Sequence, residues 1–426
     1  MLQVLGSAWA LLFGMFLLML GNGMQGTLLG IRGEIEGFDT FMMSIVMSAY
    51  FVGFLGGSRL APGMIKRVGH VRVFAALASL ISAVMILYPT FPYIWVWALG
   101  RVLIGFCFSA VYVTAESWLN NAADNSNRGQ ALSLYMIVQT LGIVAAQALL
   151  LTADPGGFIL FVIPSVLVSI AITPILLSIS PTPAFDTTKP MSLKELMSFS
   201  PLGCVGMFIL GGIFSAQFGM SSVYGAEAGL SVAQISTFVA TFFIGAVVLQ
   251  YPIGWISDRM DRRYLIIIVS VIGGAGSVMG MLLGDVFFLL LVSAFVIGGM
   301  ANPLYSLLIA HTNDFLEHDD MAAASGGLIF INGLGAILGP MITGWMMGTS
   351  LGPAGFYLFT TVLFGAMILY AGYRSTVRAT LPTDETGSFV PMAPTATSVA
   401  MEIAQEYVIE NEIEEEEQAE QSQTVS

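Results

Sequence analysis

This sequence predicts an all-α integral membrane protein, with twelve transmembrane helices in two pseudo-symmetric six-helix bundles. Three observations carry that prediction. Of the 426 residues, 56% are hydrophobic and only 10% charged, with a mean hydropathy of +0.84, where soluble domains are about 25% charged. Twelve apolar runs reach the length of about 20 residues that crossing ~30 Å of hydrocarbon requires. The second half of the chain also repeats landmarks of the first at a nearly constant offset, which is the mark of two parallel repeats.

The first six runs fall near 5–29, 41–64, 73–92, 95–118, 130–152 and 158–179. The second six fall near 202–224, 233–256, 264–284, 286–311, 322–348 and 354–373. No basic residue precedes Arg32, so the first run is expected to stay as helix 1 and not to be removed as a signal peptide. The chain divides into four regions: an N-terminal bundle over 1–180, a linker over 181–200, a C-terminal bundle over 201–375, and a disordered acidic tail over 376–426. The linker contains Pro181, Pro183, Pro190 and a short Leu193 to Met197 stretch. From residue 379 on there are eleven acidic residues and no Lys or Arg, so −11 of the net −13 lies in the tail and the rest of the chain is near neutral. The charge is therefore no sign of a nucleic-acid partner, and the tail reads as solvated.

Eleven of the fourteen basic residues fall in even-to-odd loops or just after the last span: Lys66, Arg67, Arg72, Arg128, Lys189, Lys194, Arg259, Arg262, Arg263, Arg374 and Arg378. The positive-inside bias then predicts that both termini and the linker are cytoplasmic. Cys107 and Cys204 lie in predicted helices of different halves. They are expected to be apolar fillers, with no disulfide, metal site or cofactor.

One polar interruption anchors the register. Between the apolar runs ending at Ile256 and starting at Tyr264, the stretch Asp258 to Arg263 carries five charges in six residues. Burying each in hydrocarbon would cost roughly 2.5–3.5 kcal/mol, so the stretch must be a tight aqueous turn. Sliding the chain by 192 places Lys66 to Arg72 on Asp258 to Tyr264, Gly37 on Gly229 and Gln25 on Gln217. With an offset of 193, Tyr112, Gln139 and Gly142 fall on Tyr305, Asn332 and Gly335.

Polar residues within the spans are the candidate functional residues, since each needs a partner or an aqueous cavity. In helix 1, Asn22 and Gln25 are three apart and share a face, and Gln217 is the repeat equivalent in helix 7. Such amides either glue helices together or line a cavity. In helix 4, Arg101, Gly105, Phe108, Tyr112 and Glu116 step by four, three, four and four along one stripe. Arg101 and Glu116 lie about 22 Å apart along the helix and cannot pair with each other. Glu116 is expected either to form an ion pair, with Arg59 or Arg67 as its cation, or to titrate. Gln139 in helix 5, Asn302 and Tyr305 beside Pro303 in helix 10, and Asn332 in helix 11 complete the cavity candidates. His311 reads as an interface residue or a proton relay.

The loop pattern G-x-x-x-D-R-x-x-R-R, from Gly254 to Arg263, resembles the signature loop of the major facilitator superfamily, which lies on the cytoplasmic side between helices 2 and 3 of each half. Arg101-Val-Leu-Ile-Gly105 resembles the helix 4 R-x-x-x-G that the superfamily associates with proton coupling and substrate contact. Glu116 followed by Asn127-Arg128-Gly129 resembles its E...R-G arrangement. The stretch Tyr112-Val-Thr-Ala-Glu116-Ser-Trp, with Tyr135-Met136, Gly142 and Gln147, is similar to the bacterial YcaD-like branch. The N-half copy departs from the pattern, with Lys66 in place of its Asp and Pro62 in place of its Gly. Helix 5 also lacks the G-x-x-x-G-P-x-x-G run that marks drug/proton antiporters.

The resemblance implies a monomeric secondary transporter in a bacterial-type inner membrane. It would move a small solute by alternating access, coupled to protons, with the lipid bilayer as its surroundings. Drug or metabolite efflux by proton antiport is the rival mechanism. A non-transporting receptor or scaffold that uses the acidic tail is the rival class. The resemblance also implies that Asp258 packs by the inner end of helix 5, beside Arg128. The residues before helix 11 include Asp319 and Asp320, so Lys66 or Arg67 is expected to pair with one of them, with the signs exchanged across the pseudo-symmetric contact. Arg59, Arg259 and Arg262 complete the gating candidates.

Overall fold

The computed structural model describes residues 2–122, 128–177, 191–316, 318–377, 389–397, 399–401 and 403–404, with side chains from residue 8 on except at 121, 122, 128, 318, 319 and 322. Among these residues, twelve helices are long and apolar enough to cross a membrane. They are α1 Ala8–Ile35, α2 Thr40–Val68, α3 His70–Thr90, α4 Ile94–Asn120, α5 Gly129–Leu149 and α6 Ile159–Leu177, then α7 Pro201–Glu227, α8 Val232–Ser257, α9 Arg262–Leu283, α10 Phe287–Asn313, α11 Ala323–Met347 and α12 Ala354–Val377. A short helix, Leu193–Phe199, lies in the linker, capped by the Ser192 hydroxyl on the Glu195 N–H.

The two halves pack in the same way. In the first, α1 packs on α5 and α6, α2 on α4, and α3 on α4 and α6. In the second, α7 packs on α11 and α12, α8 on α10, and α9 on α10 and α12. The repeat extends to backbone detail. Gly37 and Gly229, 192 positions apart, both turn with positive φ, 75° and 72°, a conformation that costs a side-chain-bearing residue roughly 1–2 kcal/mol. Two residues later, Asp39 caps α2 through the Met42 N–H, and Ser231 caps α8 through a reciprocal pair with Gln234, so each glycine turn feeds a side-chain-capped helix start. The tightest interhelical approaches repeat as well. A Cβ on Gly53 would strike the Val102 carbonyl between α2 and α4, and one on Gly245 would strike the Phe295 carbonyl between α8 and α10.

The halves meet along α1–α7, α2–α11 and α5–α8. At the end away from the 66–72 and 258–263 loops, Thr40 Oγ1 donates to Glu227 Oε2 at 2.9 Å, Ser48 Oγ donates to the Ile337 carbonyl at 2.5 Å, and Gly344 lies against Ser44. These contacts shut that end.

At the basic-loop end the space between the halves is filled by residues 389–397, 399–401 and 403–404. The sequence reading places them in a solvated tail, yet Met392, Ala396, Thr397, Ala400, Met401, Ile403 and Ala404 are buried. The tail expectation fails here because this stretch is apolar and small. From Thr386 to Met401 there is no charged residue, so most of the stretch can occupy a cleft, and Ile403 and Ala404 beyond Glu402 are buried with it.

Candidate functional site: a cavity between the bundles

A cavity of ≈ 140 Å³ lies between the halves. Asn22, Gln25, Thr27, Tyr50, Arg101, Gln147 and Asn332 supply its polar wall, and Phe51, Phe54, Phe214, Phe218 and Phe243 most of its aromatic wall. Pro394 and Thr395 of the C-terminal segment close one side.

Helix α1 delivers its amides as the three-residue spacing predicts. Asn22 Nδ2 donates to the Tyr112 hydroxyl at 3.0 Å, and Gln25 Nε2 reaches Asn22 Oδ1 at 3.4 Å. This chain fixes Asn22 between α1 and α4 and leaves Gln25 Oε1 without a protein partner. From α5, Gln147 Nε2 donates to the Gly23 carbonyl at 3.2 Å. From α11, Asn332 Nδ2 donates to the Met207 carbonyl at 3.0 Å. Asn22, Gln147 and Asn332 thus also tie helices together, whereas Gln25 bonds only within its own helix.

Arg101 supplies the charge. It is 3% exposed, and its guanidinium carbon stands 4.6 Å from the centre of the Tyr50 ring. Among the described residues no carboxylate forms an ion pair with it, and its Nε has no hydrogen-bond partner. A buried cation resting on an aromatic face with no paired carboxylate is expensive to keep unless an anion completes it.

Other expected cavity residues lie elsewhere. Gln217 is buried but does not line the cavity; it sits in a π-helical turn, Ala216–Met220, in the middle of α7, and its amide has no protein partner. The extra residue of a π turn rotates the remainder of the helix by about one helical position, so equivalence with Gln25 in sequence is not equivalence in direction. Asn302 donates to the Gly298 carbonyl of its own helix at 3.1 Å. Tyr305 is buried behind Phe214, ring centres 5.9 Å apart. Tyr50, Phe54 and Gln147 are lining residues that the sequence reading did not select. Tyr50 was findable, since it lies one helix face from Arg101 across glycine-mediated α2–α4 packing.

Below the cavity, Glu116 is fully buried, and the expected cation is not beside it. Its carboxylate accepts from the Tyr135 hydroxyl at 3.3 Å, from the Thr397 N–H at 3.2 Å and from the Thr397 hydroxyl. Arg59 and Arg67 are exposed instead. The pairing of either with Glu116 is thus corrected: hydroxyl and amide donors stand where a cation was expected. Gln139 Oε1 likewise accepts from Thr395 Oγ1 at 3.0 Å.

The 258–263 loop is tied within its own half. Arg262, 3% exposed, pairs with the buried Asp314 at the end of α10 and also donates to Ser257 Oγ at 3.3 Å. Arg259 lies over the Trp255 ring at 4.1 Å. Asp261 caps α9 through the Arg263 N–H at 2.9 Å and pairs with the Arg263 guanidinium, also at 2.9 Å. Partial burial alone would raise its carboxyl, but the Arg263 hydrogen bonds and the nearby charges of Arg263 and His311 outweigh it and hold the group below the usual range. Asp258 accepts from the Phe389 N–H at 2.8 Å. Lys66 is exposed at the end of α2 and Asp320 is half-buried at the start of α11. The side chains of Arg128 and Asp319 lie outside the described residues, and so does the sign-exchanged contact that involves them. His311 packs edge-on against Phe315 at 5.1 Å.

Comparison with known proteins agrees with this architecture. The model of the Major Facilitator Superfamily matches residues 11–224 and again 202–403. The uncharacterized MFS-type transporter YcaD of Escherichia fergusonii is 27% identical over 345 residues, covering 79% of this chain and 88% of that one. Its counterpart in Salmonella arizonae is 25% identical over the same shares. Among solved structures, a mutant of the nucleoside transporter NupG superposes with a TM-score of 0.72 at 15% identity, over 86% of this chain and 99% of that one. A bacterial homologue of the human lysosomal transporter Spinster, inward-facing and occupied, superposes with 0.69 at 13% identity, over 90% and 98%. FucP in the outward conformation gives 0.56 at 14% identity, over 86% and 98%.

Proposed function

This chain belongs to the major facilitator superfamily and resembles its YcaD-like branch, and from that premise we propose that it is a proton-coupled secondary transporter of a small anionic solute in a bacterial inner membrane. The basic-loop face is the cytoplasmic one by the positive-inside bias. Solute enters the cavity between the bundles, which rock about it.

Arg101 carries the assignment of charge. A guanidinium at the cavity wall with no carboxylate partner is completed by a carboxylate or phosphate on the solute. The amides of Asn22, Gln25 and Asn332 offer both donors and acceptors, so the solute also carries hydroxyl or carbonyl groups. The phenylalanines supply a dry wall that strengthens the charge contact. Glu116, a buried carboxylate with only neutral donors around it, is the group that takes up and releases the proton.

The test is flux into liposomes holding the purified protein, with panels of small organic anions, neutral sugars and nucleosides, and organic cations, each with and without an imposed pH gradient. An anion should accumulate only with the gradient. Accumulation of a neutral or cationic solute alone would overturn the substrate class, and flux indifferent to the gradient would overturn proton coupling. Expulsion of solute against inward proton flow would establish the antiport mechanism in place of symport.

A further inference from the structure

The C-terminal segment is bound as a peptide ligand would be. It runs from the second half to the first, taking a hydrogen bond at each step. The Phe389 N–H donates to Asp258, and the Phe389 ring lies over Gly254, where any side chain would strike it. Ser306 Oγ accepts from the Met392 N–H at 2.9 Å and donates to the Met392 carbonyl at 3.3 Å, while Gln250 Nε2 donates to the same hydroxyl at 3.0 Å. Thr395 then reaches Gln139 on α5, and Thr397 gives both its hydroxyl and its N–H to Glu116 on α4. Backbone groups of Phe389, Met392 and Thr397 are thus satisfied by side chains of both bundles, and the methyl-sized Ala396, Ala400 and Ala404 are buried.

Chain length permits this. The twelve steps from Val377 at the end of α12 to Phe389 span up to about 40 Å, enough to return from the helix end to the cleft. The occupancy also explains the size of the cavity. At ≈ 140 Å³ with Pro394 and Thr395 as one wall, it falls below the ~300–1,000 Å³ of ordinary ligand pockets.

We infer that the basic-loop cleft is a peptide-binding site whose ligand is the chain's own segment 389–404, an internal plug that holds the opposite end shut and must leave before solute crosses. The cleft cannot narrow while a peptide fills it, so the rocking of the bundles stops in one state. The Asp258, Ser306, Gln139 and Glu116 side chains cannot serve gate or proton while the plug holds them. The effect on transport rests on the transporter reading; the binding of the plug does not.

The test needs no solute. In a protein with Cys107→Ser and Cys204→Ser, Gln139→Cys is labelled in detergent by a polar maleimide. Where the unplugged state is a minor one of at most ~10%, truncation after Arg378 raises the labelling rate by about tenfold or more. Ala400→Trp in the full-length chain should do the same, since an indole has no room at a fully buried alanine. A second pair, Gln139→Cys with Thr395→Cys, should join within one chain through a short bifunctional maleimide. Equal labelling of the full-length and truncated proteins, or no intrachain cross-link, overturns the plug and leaves the transporter reading standing. Flux that rises on truncation, and is lost when the cross-link is made, supports both. Fast labelling of a truncated protein that moves no solute from any panel counts against the transporter reading and not against the plug.

Discussion

The guanidinium carbon of Arg101 lies 4.6 Å from the centre of the Tyr50 ring, and no described carboxylate stands within ion-pair reach of it. The ring compensates a desolvated cation by about 2 kcal/mol, less than a buried charge costs, so the arrangement sacrifices stability to keep a cation at the cavity. Arg101→Gln should therefore leave the melting temperature unchanged or raise it, while anion flux falls by about tenfold or more, the worth of one charge-assisted hydrogen bond. Arg101→Lys keeps the charge but loses the planar stacking and should fall between. Thermal unfolding and liposome flux measured on the same preparations decide it: Arg101→Gln carrying solute at the wild-type rate removes Arg101 from the site.

The closed end makes a separate prediction. Thr40 and Glu227 bridge the two halves at 2.9 Å on the face opposite the basic loops. A partly exposed hydrogen bond to a carboxylate is worth about 1 kcal/mol, so Glu227→Ala should shift the balance toward opening at that end by roughly fivefold without unfolding the protein. A cysteine at Ser44, buried beneath the bridge, reads the shift by its maleimide labelling rate. An unchanged rate would mean that the Ser48–Ile337 contact and the α2–α11 packing close that end without the bridge.

The architecture was legible because the constraints that set it are local. Charge cannot lie in hydrocarbon, so the Asp258 to Arg263 loop fixed the register, and Gly37 and Gly229 marked one backbone turn used twice. The site was half legible. Asn22, Gln25, Arg101 and Asn332 declared themselves as polar groups in apolar helices and do line the cavity. Gln217 misled because a π turn lies on it, and helical phase read from sequence assumes regular winding. Phe54 and Phe218 gave no signal, since one phenylalanine in a membrane helix looks like another until the helices are placed. The plug was masked by its neighbours: averaged over 376–426 the composition is acidic and polar, and only the gap in charge from Thr386 to Met401 distinguishes a segment able to be buried.

Glycine contacts provide a matched set of controls. A Cβ at Gly53 would run into the Val102 carbonyl and one at Gly245 into that of Phe295, while one at Gly365 meets nothing within 4 Å. Backbone cannot yield as a flexible side chain does, so Gly53→Ala and Gly245→Ala should each destabilise by about 1–3 kcal/mol or more. Gly365→Ala should be neutral or stabilising by up to ~1 kcal/mol. Thermal unfolding in one detergent ranks all three. Equal losses at Gly53 and Gly245 are expected from their equivalent places, and a harmless Gly53→Ala would mean that α2 and α4 are not so closely apposed.

Arg262 presents the choice between a gate and a structural tie. The family resemblance places it among gating residues, but its guanidinium pairs with Asp314 inside the same half, with side chains only 3% and 4% exposed. A gating pair must part in each cycle, whereas a tie within one rigid bundle must not. If it is a tie, Arg262→Ala takes the guanidinium away from a buried carboxylate and should cost about 3–5 kcal/mol, while Arg262→Met combined with Asp314→Leu should recover most of that loss. The double variant also separates the roles by activity. A structural pair predicts near-wild-type flux once stability returns; a gate predicts that flux stays low and that maleimide labelling of Gln139→Cys, in the truncated protein, is altered. Stability recovered without flux would return Arg262 to the gate.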